Sequence, residues 1–309
     1  TLLTTAELDL QFSLYSFDLR SIVFSNIRLE EPRFYGRKYQ NDTAFNYQYL
    51  TNNEESDESE DEGIFRILLD GVQINDGLFS LNDYTHEAKP QGQHGVDFNR
   101  LHLKDLNLSV SYIQFIGPRL SADINHLSFR DTSGFQLDTL RTDLTFHDQT
   151  LDFQNLLLKT PRSRLANQVT MTFDDKSALS NNFQDRVKFT TQFENTTISL
   201  EDLSYFNTDI SQADKRLHFS GDVKGNVSNF QSDNFRIAFG EQTFFAGAIS
   251  FNGLPDISQT FIKLHCDRSR LQIQDLRKFL PEFKPPLNLE KLGLTRFQGN
   301  FTGFPSDFV

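Results

Sequence analysis

Histidine and cysteine, the side chains that most often carry catalytic or metal chemistry, are few in this 309-residue chain. None of the histidines lies at a recognised metal-site spacing from a cysteine, aspartate or glutamate. The single cysteine, Cys266, lies on the same predicted strand face as Leu264, which favours packing as a small apolar residue. We therefore expect no catalytic residue, no metal site and no cofactor. The histidines are His86, His94, His102, His126, His147, His218 and His265.

Two patterns that contain carboxylates have structural explanations. The segment DGVQINDG (70–77) is similar to a calcium loop but lacks a bidentate glutamate at the required distance, so Asp70-Gly71 predicts a β-hairpin turn. Neighbouring carboxylates such as Asp174 and Asp175 point to opposite faces of a strand. The sequence has no nucleophile elbow, phosphate-binding loop or zinc-protease motif. We therefore predict that the protein is not an enzyme.

The charge of the chain argues against nucleic acid as a partner. The net charge is −12, and the run EESDESEDE (54–62) supplies seven of the 42 acidic residues. A chain with no basic cluster in its sequence is poorly suited to phosphate backbones or to anionic membrane surfaces. The acidic run has no apolar residue, so residues 52–63 are predicted to form a disordered loop.

Alternation of apolar and polar residues predicts β-strands along most of the chain. The 32 phenylalanines must be interleaved with polar residues, because the mean hydropathy is −0.47. Short polar turns such as FHDQTLDF (146–153) predict antiparallel neighbours. We expect on the order of 20 strands. Helices are predicted only near SLEDLSYFN (199–207) and QDLRKFLPEF (274–283).

Residues 198–309 contain two copies of a repeat of about 75 residues. ISLEDLSYFN (198–207) aligns with LQIQDLRKFL (271–280), and FSGDVKG (219–225) aligns with FQGNFTG (297–303). Both copies place glycines on the apolar face of a strand, where they leave gaps. The gaps either bend the sheet or leave width for a ligand. These glycines are Gly221, Gly225, Gly299 and Gly303.

The predicted apolar sheet face needs a cover that two short helices cannot supply. A closed membrane barrel is disfavoured because tryptophan is absent and tyrosine is scarce. A right-handed β-helix would show shorter and more even repeats. A two-sheet sandwich with a packed core and a long sheet, U-shaped in section and filled by acyl chains, both stay open.

Several segments resemble the Bacteroidota-type TamB (translocation/assembly module) proteins of the AsmA-like, bridge-like lipid-transfer superfamily. They include LDGVQINDGLFSLND (69–83) and GNFTGFPSDF (299–308). In the same order along the chain, the resembling segments cover residues 18–36, 69–83, 97–146, 158–165, 198–206, 254–262 and 299–308. The chain is therefore similar to the N-terminal part of a longer member of this family.

The resemblance implies a non-enzymatic periplasmic protein that is anchored in the inner membrane and reaches toward the outer membrane. Its body would be a β-taco, a continuous β-groove that carries phospholipid acyl chains between the membranes. The anchor, and the region that meets an Omp85-family (TamA-like) outer-membrane partner, would lie outside this sequence. The alternative is a scaffold or chaperone that assists the assembly of outer-membrane β-barrel proteins.

On this basis, we expect residues 1–309 to form one continuous segment of an all-β fold, an elongated curved antiparallel sheet with an apolar lumen. The residues predicted to line the lipid groove are Leu8, Leu10, Phe12, Leu14, Leu106, Leu108, Val110, Leu144, Phe146, Leu151, Phe153, Val169, Met171, Phe173, Val187, Phe189, Phe193, Leu217, Phe219, Val223, Val227, Phe235, Ile237, Phe239, Phe245, Ile249, Phe251, Phe297 and Phe301.

Overall fold

A computed structural model describes residues 2–12, 21–48, 66–90, 92–179, 181–206, 215–254, 256, 259–279, 293–304 and 307–308. The fold is all-β with a few short helices, as predicted: 67% of the residues are in strands and 8% are helical. The acidic run at 52–63, the position of Leu14 and the side chain of Phe12 lie outside this description.

The strands are β1 (Leu3–Thr4), β2 (Glu7–Phe12), β3 (Ser21–Glu30), β4 (Arg33–Lys38), β5 (Arg66–Asp83), β6 (Arg100–Ile116), β7 (Arg119–Asp131), β8 (Gln136–His147), β9 (Thr150–Lys159), β10 (Arg164–Thr172), β11 (Lys188–Ser199), β12 (Arg216–Gly225), β13 (Asn229–Phe239), β14 (Thr243–Asn252), β15 (Phe261–Gln272), β16 (Leu294–Phe304) and β17 (Asp307–Phe308). The helices are α1 (Phe183–Arg186), α2 (Leu200–Ser204) and α3 (Ile273–Phe279), with a 3-10 turn at Lys176–Leu179. The predicted helices at 199–207 and 274–283 are thus confirmed in place. The first, α2, is shorter than predicted, and α3 begins one residue earlier, while residues 280–283 lie outside the described part of the chain.

The chain divides into two compact units, and the first comprises Thr1–Thr145, Leu158–Pro161 and Ser204–Thr208. Its longest strand, β5, pairs with β6 along one edge. Two shorter strands share the other edge of β5: β3 pairs with its first part and β4 pairs with its last part. Glu31, with φ 47°, and Pro32 separate β3 from β4. The prediction of one continuous segment over residues 1–309 stays a prediction.

The prediction of a purely antiparallel sheet is wrong at β5, because β3 and β4 both run parallel to it. Parallel neighbours need a long connection that returns the chain to the same end of the sheet. Residues 39–65, between β4 and β5, supply that length. Alternation reports which face a side chain occupies and carries no information on strand direction.

The hairpin turn predicted at Asp70-Gly71 is also wrong, because β5 continues through both residues. Gly71 serves a close approach: a Cβ there would lie 2.7 Å from the side-chain oxygen of Asn26 on β3. The dipeptide is therefore a site of tight packing between neighbouring strands. The alternation of apolar and polar side chains along β5 shifts by one residue further on, at Asp76, whose φ is 50°.

The second unit comprises Phe146–Leu157, Arg162–Leu203 and Asp209–Val309. From β10 to β17 each strand pairs antiparallel with the next. The strand β11 leads directly into α2, and β15 leads directly into α3. The two copies of the sequence repeat therefore occupy equivalent elements, a strand followed by a short helix and a further strand.

An aspartate in each of these short helices binds the turn of an earlier hairpin. Asp275 of α3 is 1% exposed and accepts hydrogen bonds from the backbone of Glu241, Gln242 and Thr243, between β13 and β14. At the aligned position, the buried Asp202 of α2 accepts a hydrogen bond from Ser163, between β9 and β10. Both helices therefore hold a turn through a carboxylate, and each also buries its first apolar residue, Leu200 or Ile273.

Some of the buried apolar side chains form two small clusters near strand ends. In the first unit, Val96 packs with Phe135 and Leu137. In the second, Phe173 and Val187 pack with Ala178 of the 3-10 turn. None of the helices in the described ranges is both long and apolar enough to span a membrane.

Candidate functional site

Apolar side chains stand directly opposite one another across five strands of the first unit. On β2, Leu8 and Leu10 face Leu29 and Ile27 of β3, and each line continues across β5, β6 and β7. Directly paired residues share one face of a sheet, so the two lines form a continuous apolar surface. We call it the apolar ladder: Leu8, Leu29, Ile74, Leu108 and Leu127 in one line, and Leu10, Ile27, Val72, Val110 and Ile124 in the other.

Leu127, at the end of the apolar ladder, packs against the cluster of Val96, Phe135 and Leu137, whereas the other ladder residues belong to neither buried cluster of the described protein. Leu8 and Leu10 are 51% and 41% exposed, and the other eight side chains are half-buried. An apolar face in an ordinary two-layer domain would be buried against helices or a second sheet. This face therefore offers a broad apolar surface to a further molecule.

The second unit has a comparable apolar face. Phe219 of β12 stands opposite Ile237 of β13, which stands opposite Phe245 of β14. A parallel line joins Phe230 to Phe251, whose rings lie 5.1 Å apart. These side chains are also half-buried.

A line of β-bulges and glycines crosses β11 to β16. Pairing shifts by one residue at Phe193–Thr196 of β11, Ser232–Phe235 of β13 and Cys266–Ser269 of β15. The strands between them carry glycines at the same level, Gly221 of β12 and Gly247 of β14. Bulges bend a strand and increase its local twist, and glycines permit the bend in the neighbours. We call this line the crease.

The glycine gaps noted in the sequence follow from the crease. Gly221 has φ 131°, and a Cβ there would lie 2.7 Å from the carbonyl oxygen of Asn234. Gly247 has φ 149°, and its Cβ would lie 1.8 Å from the carbonyl oxygen of His265. Backbone conformation and the approach of the next strand therefore account for Gly221 and Gly247, whereas a Cβ at Gly299, with φ 144°, would meet no atom within 4 Å.

The predicted groove residues differ in exposure. Exposed ones are Leu8, Leu10, Val227 and Phe297, and nearly buried ones are Phe173, Val187, Val223 and Ile249. Half-buried ones are Leu106, Leu108, Val110, Leu144, Phe146, Leu151, Phe153, Val169, Met171, Phe189, Phe193, Leu217, Phe219, Phe235, Ile237, Phe239, Phe245, Phe251 and Phe301. Of the groove glycines, Gly221, Gly225 and Gly303 are partly or fully buried, and Gly299 is exposed.

One group of these residues faces protein instead of an open surface. Phe146, Leu151 and Met171 pack against the cluster of Phe173 and Val187. The same cluster contains Ala178 and contacts Leu179, both in the 3-10 turn. The segment between β10 and β11 therefore covers the apolar face at this point, and protein packing accounts for these five predicted residues.

Sequence reasoning missed several polar residues on the apolar face of the second unit. Thr191 of β11 stands opposite Val223, and Thr196 stands opposite Phe219. Thr196 and Ser232 are 1% and 3% exposed, and their hydroxyl oxygens have no hydrogen-bond partner in the described residues. Thr196 and Ser232 each stand beside a bulge, where a polar residue replaces the expected apolar one. That interruption of the alternating pattern is the sequence signal that could have identified them.

Groups capable of catalysis do not converge in the described part of the chain. No cluster of three or more histidine, cysteine or carboxylate side chains occurs among the described residues. His94 Nε2 lies 2.7 Å from the hydroxyl of Ser204, but Ser204 is fully buried and inaccessible to a substrate. Burial, and to a lesser extent the charge of Asp267, raises the pKa of the Cys266 thiol, which opposes thiolate formation.

Comparison of the chain with protein-family models, with curated proteins and with solved structures finds no match. The resemblance to the TamB family accordingly stays a resemblance of sequence segments. The apolar ladder and its counterpart in the second unit are the features from which function is argued below.

Proposed function

We propose that this protein is a non-enzymatic lipid carrier that holds phospholipid acyl chains against its apolar sheet face. The single observation that carries the proposal is the apolar ladder, a broad surface of paired apolar side chains that lies, apart from Leu127, outside the buried clusters of the described protein. Contact of such a face with water is unfavourable, so covering it with an apolar ligand is favourable.

The mechanism that we propose is passive. Transfer of each methylene from water to an apolar surface is favourable by about 0.8 kcal/mol, so an acyl chain binds without specific contacts. Leucine, isoleucine and valine repeat along the ladder, so that a chain moved by one strand exchanges one apolar contact for another. We infer a nearly level free-energy profile, while the headgroup stays in water.

The setting that the TamB resemblance implies is part of the same proposal. The protein would act in the periplasm, between an inner-membrane anchor and an outer-membrane partner of the Omp85 family. Phospholipid movement between the two membranes would then contribute to outer-membrane biogenesis.

Two neighbouring residues of β6 provide a matched test. Leu108 lies in the ladder, whereas Ser109 points to the opposite face and stands opposite Gln73 of β5. A photo-crosslinking amino acid placed at 108 should capture a phospholipid with a fluorescent acyl chain, and the same group at 109 should not. Leu108→Asp should reduce the amount of lipid that co-purifies with the protein, whereas Ser109→Asp should leave it unchanged.

Circular dichroism would verify that both aspartate variants keep the strand content of the parent protein. Equal crosslinking at positions 108 and 109 would rule out binding on the apolar ladder. A folded protein that neither co-purifies with lipid nor takes it up from vesicles would favour the alternative scaffold function.

A further inference from the structure

A pocket of about 660 Å³ lies on β14, β15 and β16 of the second unit, largely on the polar face of the sheet. Phe244 stands opposite Arg270, and Arg270 stands opposite Arg296, so these three side chains share one face. Phe245, the next residue of β14, belongs to the apolar face opposite Ile237. Arg268, which lies in the bulge of β15, also lines the pocket.

The three arginines of this pocket, Arg268, Arg270 and Arg296, have no ion pair or hydrogen bond through their side chains within the described ranges. Asp267, which is also at the pocket, pairs instead with His265, whose Nε2 lies 3.5 Å away. Like charges directly opposite each other on neighbouring strands destabilise a sheet. The pair Arg270 and Arg296 therefore has a cost that a bound anion would offset.

The composition of the pocket narrows the class of anion. Guanidinium groups bind phosphate oxygens in a bidentate fashion, and three of them suit a group with several acceptor oxygens better than a single carboxylate. Phe244 adds an apolar wall and Gln298 adds an amide. The volume lies within the range typical of small-molecule sites.

We propose that Arg268, Arg270 and Arg296 form a binding site for a phosphate group, carried either by a soluble organic phosphate or by a lipid headgroup. The site does not rest on the proposed acyl-chain binding, because Arg270 and Arg296 project from the opposite face of the sheet. Sequence inspection missed it because Arg296 is separated from CDRSR (266–270) by 25 residues, and only strand pairing brings them together.

The test compares two double variants with equal loss of charge. Arg270→Gln/Arg296→Gln removes the opposed pair, and Lys224→Gln/Lys263→Gln removes two exposed lysines elsewhere on the same face. Inorganic pyrophosphate should bind the unaltered protein in calorimetric titration. Affinity should fall roughly tenfold for each arginine removed, because a hydrogen bond to a charged group contributes about 1.5 kcal/mol or more.

Co-sedimentation with vesicles distinguishes the two sources of phosphate. Sedimentation with vesicles that contain phosphatidylglycerol, lost in Arg270→Gln/Arg296→Gln and kept in the lysine control, supports a lipid headgroup. Pyrophosphate binding without sedimentation supports a soluble phosphate. Equal affinity of the two double variants, or no binding of either probe to the unaltered protein, would overturn the proposal. The arginine variant should melt no lower than the parent, which separates loss of binding from loss of fold.

Discussion

Replacement of Asp275 by asparagine tests whether the short helices hold the hairpin turns in place. The carboxylate receives backbone N–H groups from Glu241, Gln242 and Thr243 at 3.1, 2.9 and 3.0 Å, and the Thr243 hydroxyl at 3.0 Å. Asparagine has the same size, but one of its two terminal groups is an amide donor. At least one of these N–H groups then faces another donor.

The expected loss of unfolding free energy is about 3 kcal/mol, since a hydrogen bond to a charged group contributes about 1.5–3 kcal/mol and an unsatisfied buried donor adds a penalty. Asp233→Asn is the matched control, because Asp233 is an exposed residue of β13. It should change stability by no more than about 0.5 kcal/mol. Urea unfolding followed by far-ultraviolet circular dichroism measures both differences.

The contribution of Asp275 to the free energy of unfolding should depend on pH in one direction. Burial raises the pKa of Asp275, but the hydrogen bonds from Gln242, Glu241 and Thr243 outweigh it and leave the pKa below its ordinary value of 3.8. The stabilisation is therefore fully present above the unfolded-state value and is lost as pH falls through the lower folded-state value. A difference below 1 kcal/mol at pH 7, or one that grows on acidification, would refute this account of Asp275.

Two further predictions concern the crease. Gly221→Ala should lower the free energy of unfolding in urea by more than about 2 kcal/mol, because its Cβ would meet the backbone of Asn234 in addition to the φ penalty. Gly117→Ala, at φ 57° with no atom within 4 Å of the added Cβ, should lower the free energy of unfolding by about 1 kcal/mol. An equal loss of stability in the two variants would contradict the role of close strand approach at Gly221. Cys266 is 3% exposed and its thiol pKa is raised. Its reaction with a thiol reagent at pH 8 should therefore follow unfolding as urea is added, and rapid reaction without urea would contradict this.

The sequence predicted the strands well because alternation reports directly on which face a side chain occupies. The sequence also contains a signal at the bulges. The apolar series shifts phase between Leu103 and Leu106, and the structure has Asp105 there with φ 51°. Asn155 and Asn195 lie at similar shifts with φ 52° and 46°. Aspartate and asparagine tolerate this backbone region, so a phase change at such a residue predicts a bulge.

Features that depend on which strands pair could not be predicted in the same way. The parallel pairing of β5 and the opposition of Arg270 and Arg296 both arise between segments that are distant in sequence. The sequence also did not predict that the 3-10 turn covers Phe173 and Val187. Residues 174–187 show neither the strand period of two nor the helical period of 3.6 clearly. The local sequence pattern determines which face of a strand each side chain occupies. The pairing of strands determines which side chains and charges become neighbours.

Comparison of the two repeat copies shows which positions keep their residue type and which keep only their apolar character. Ile198 is replaced by Leu271 and Val223 by Phe301, so these positions keep their apolar character and change their shape. A packed protein core would require side chains of matched volume, because buried cavities and excess volume both destabilise it. The proposed acyl-chain surface would require apolar character alone, which these two exchanges keep, although Val223 is buried and Phe301 is half-buried. The positions kept identical include the helix aspartate that binds a turn and the two strand glycines, but also three apolar residues. They are Asp202 with Asp275, Leu203 with Leu276, Phe206 with Phe279, Phe219 with Phe297, Gly221 with Gly299, and Gly225 with Gly303.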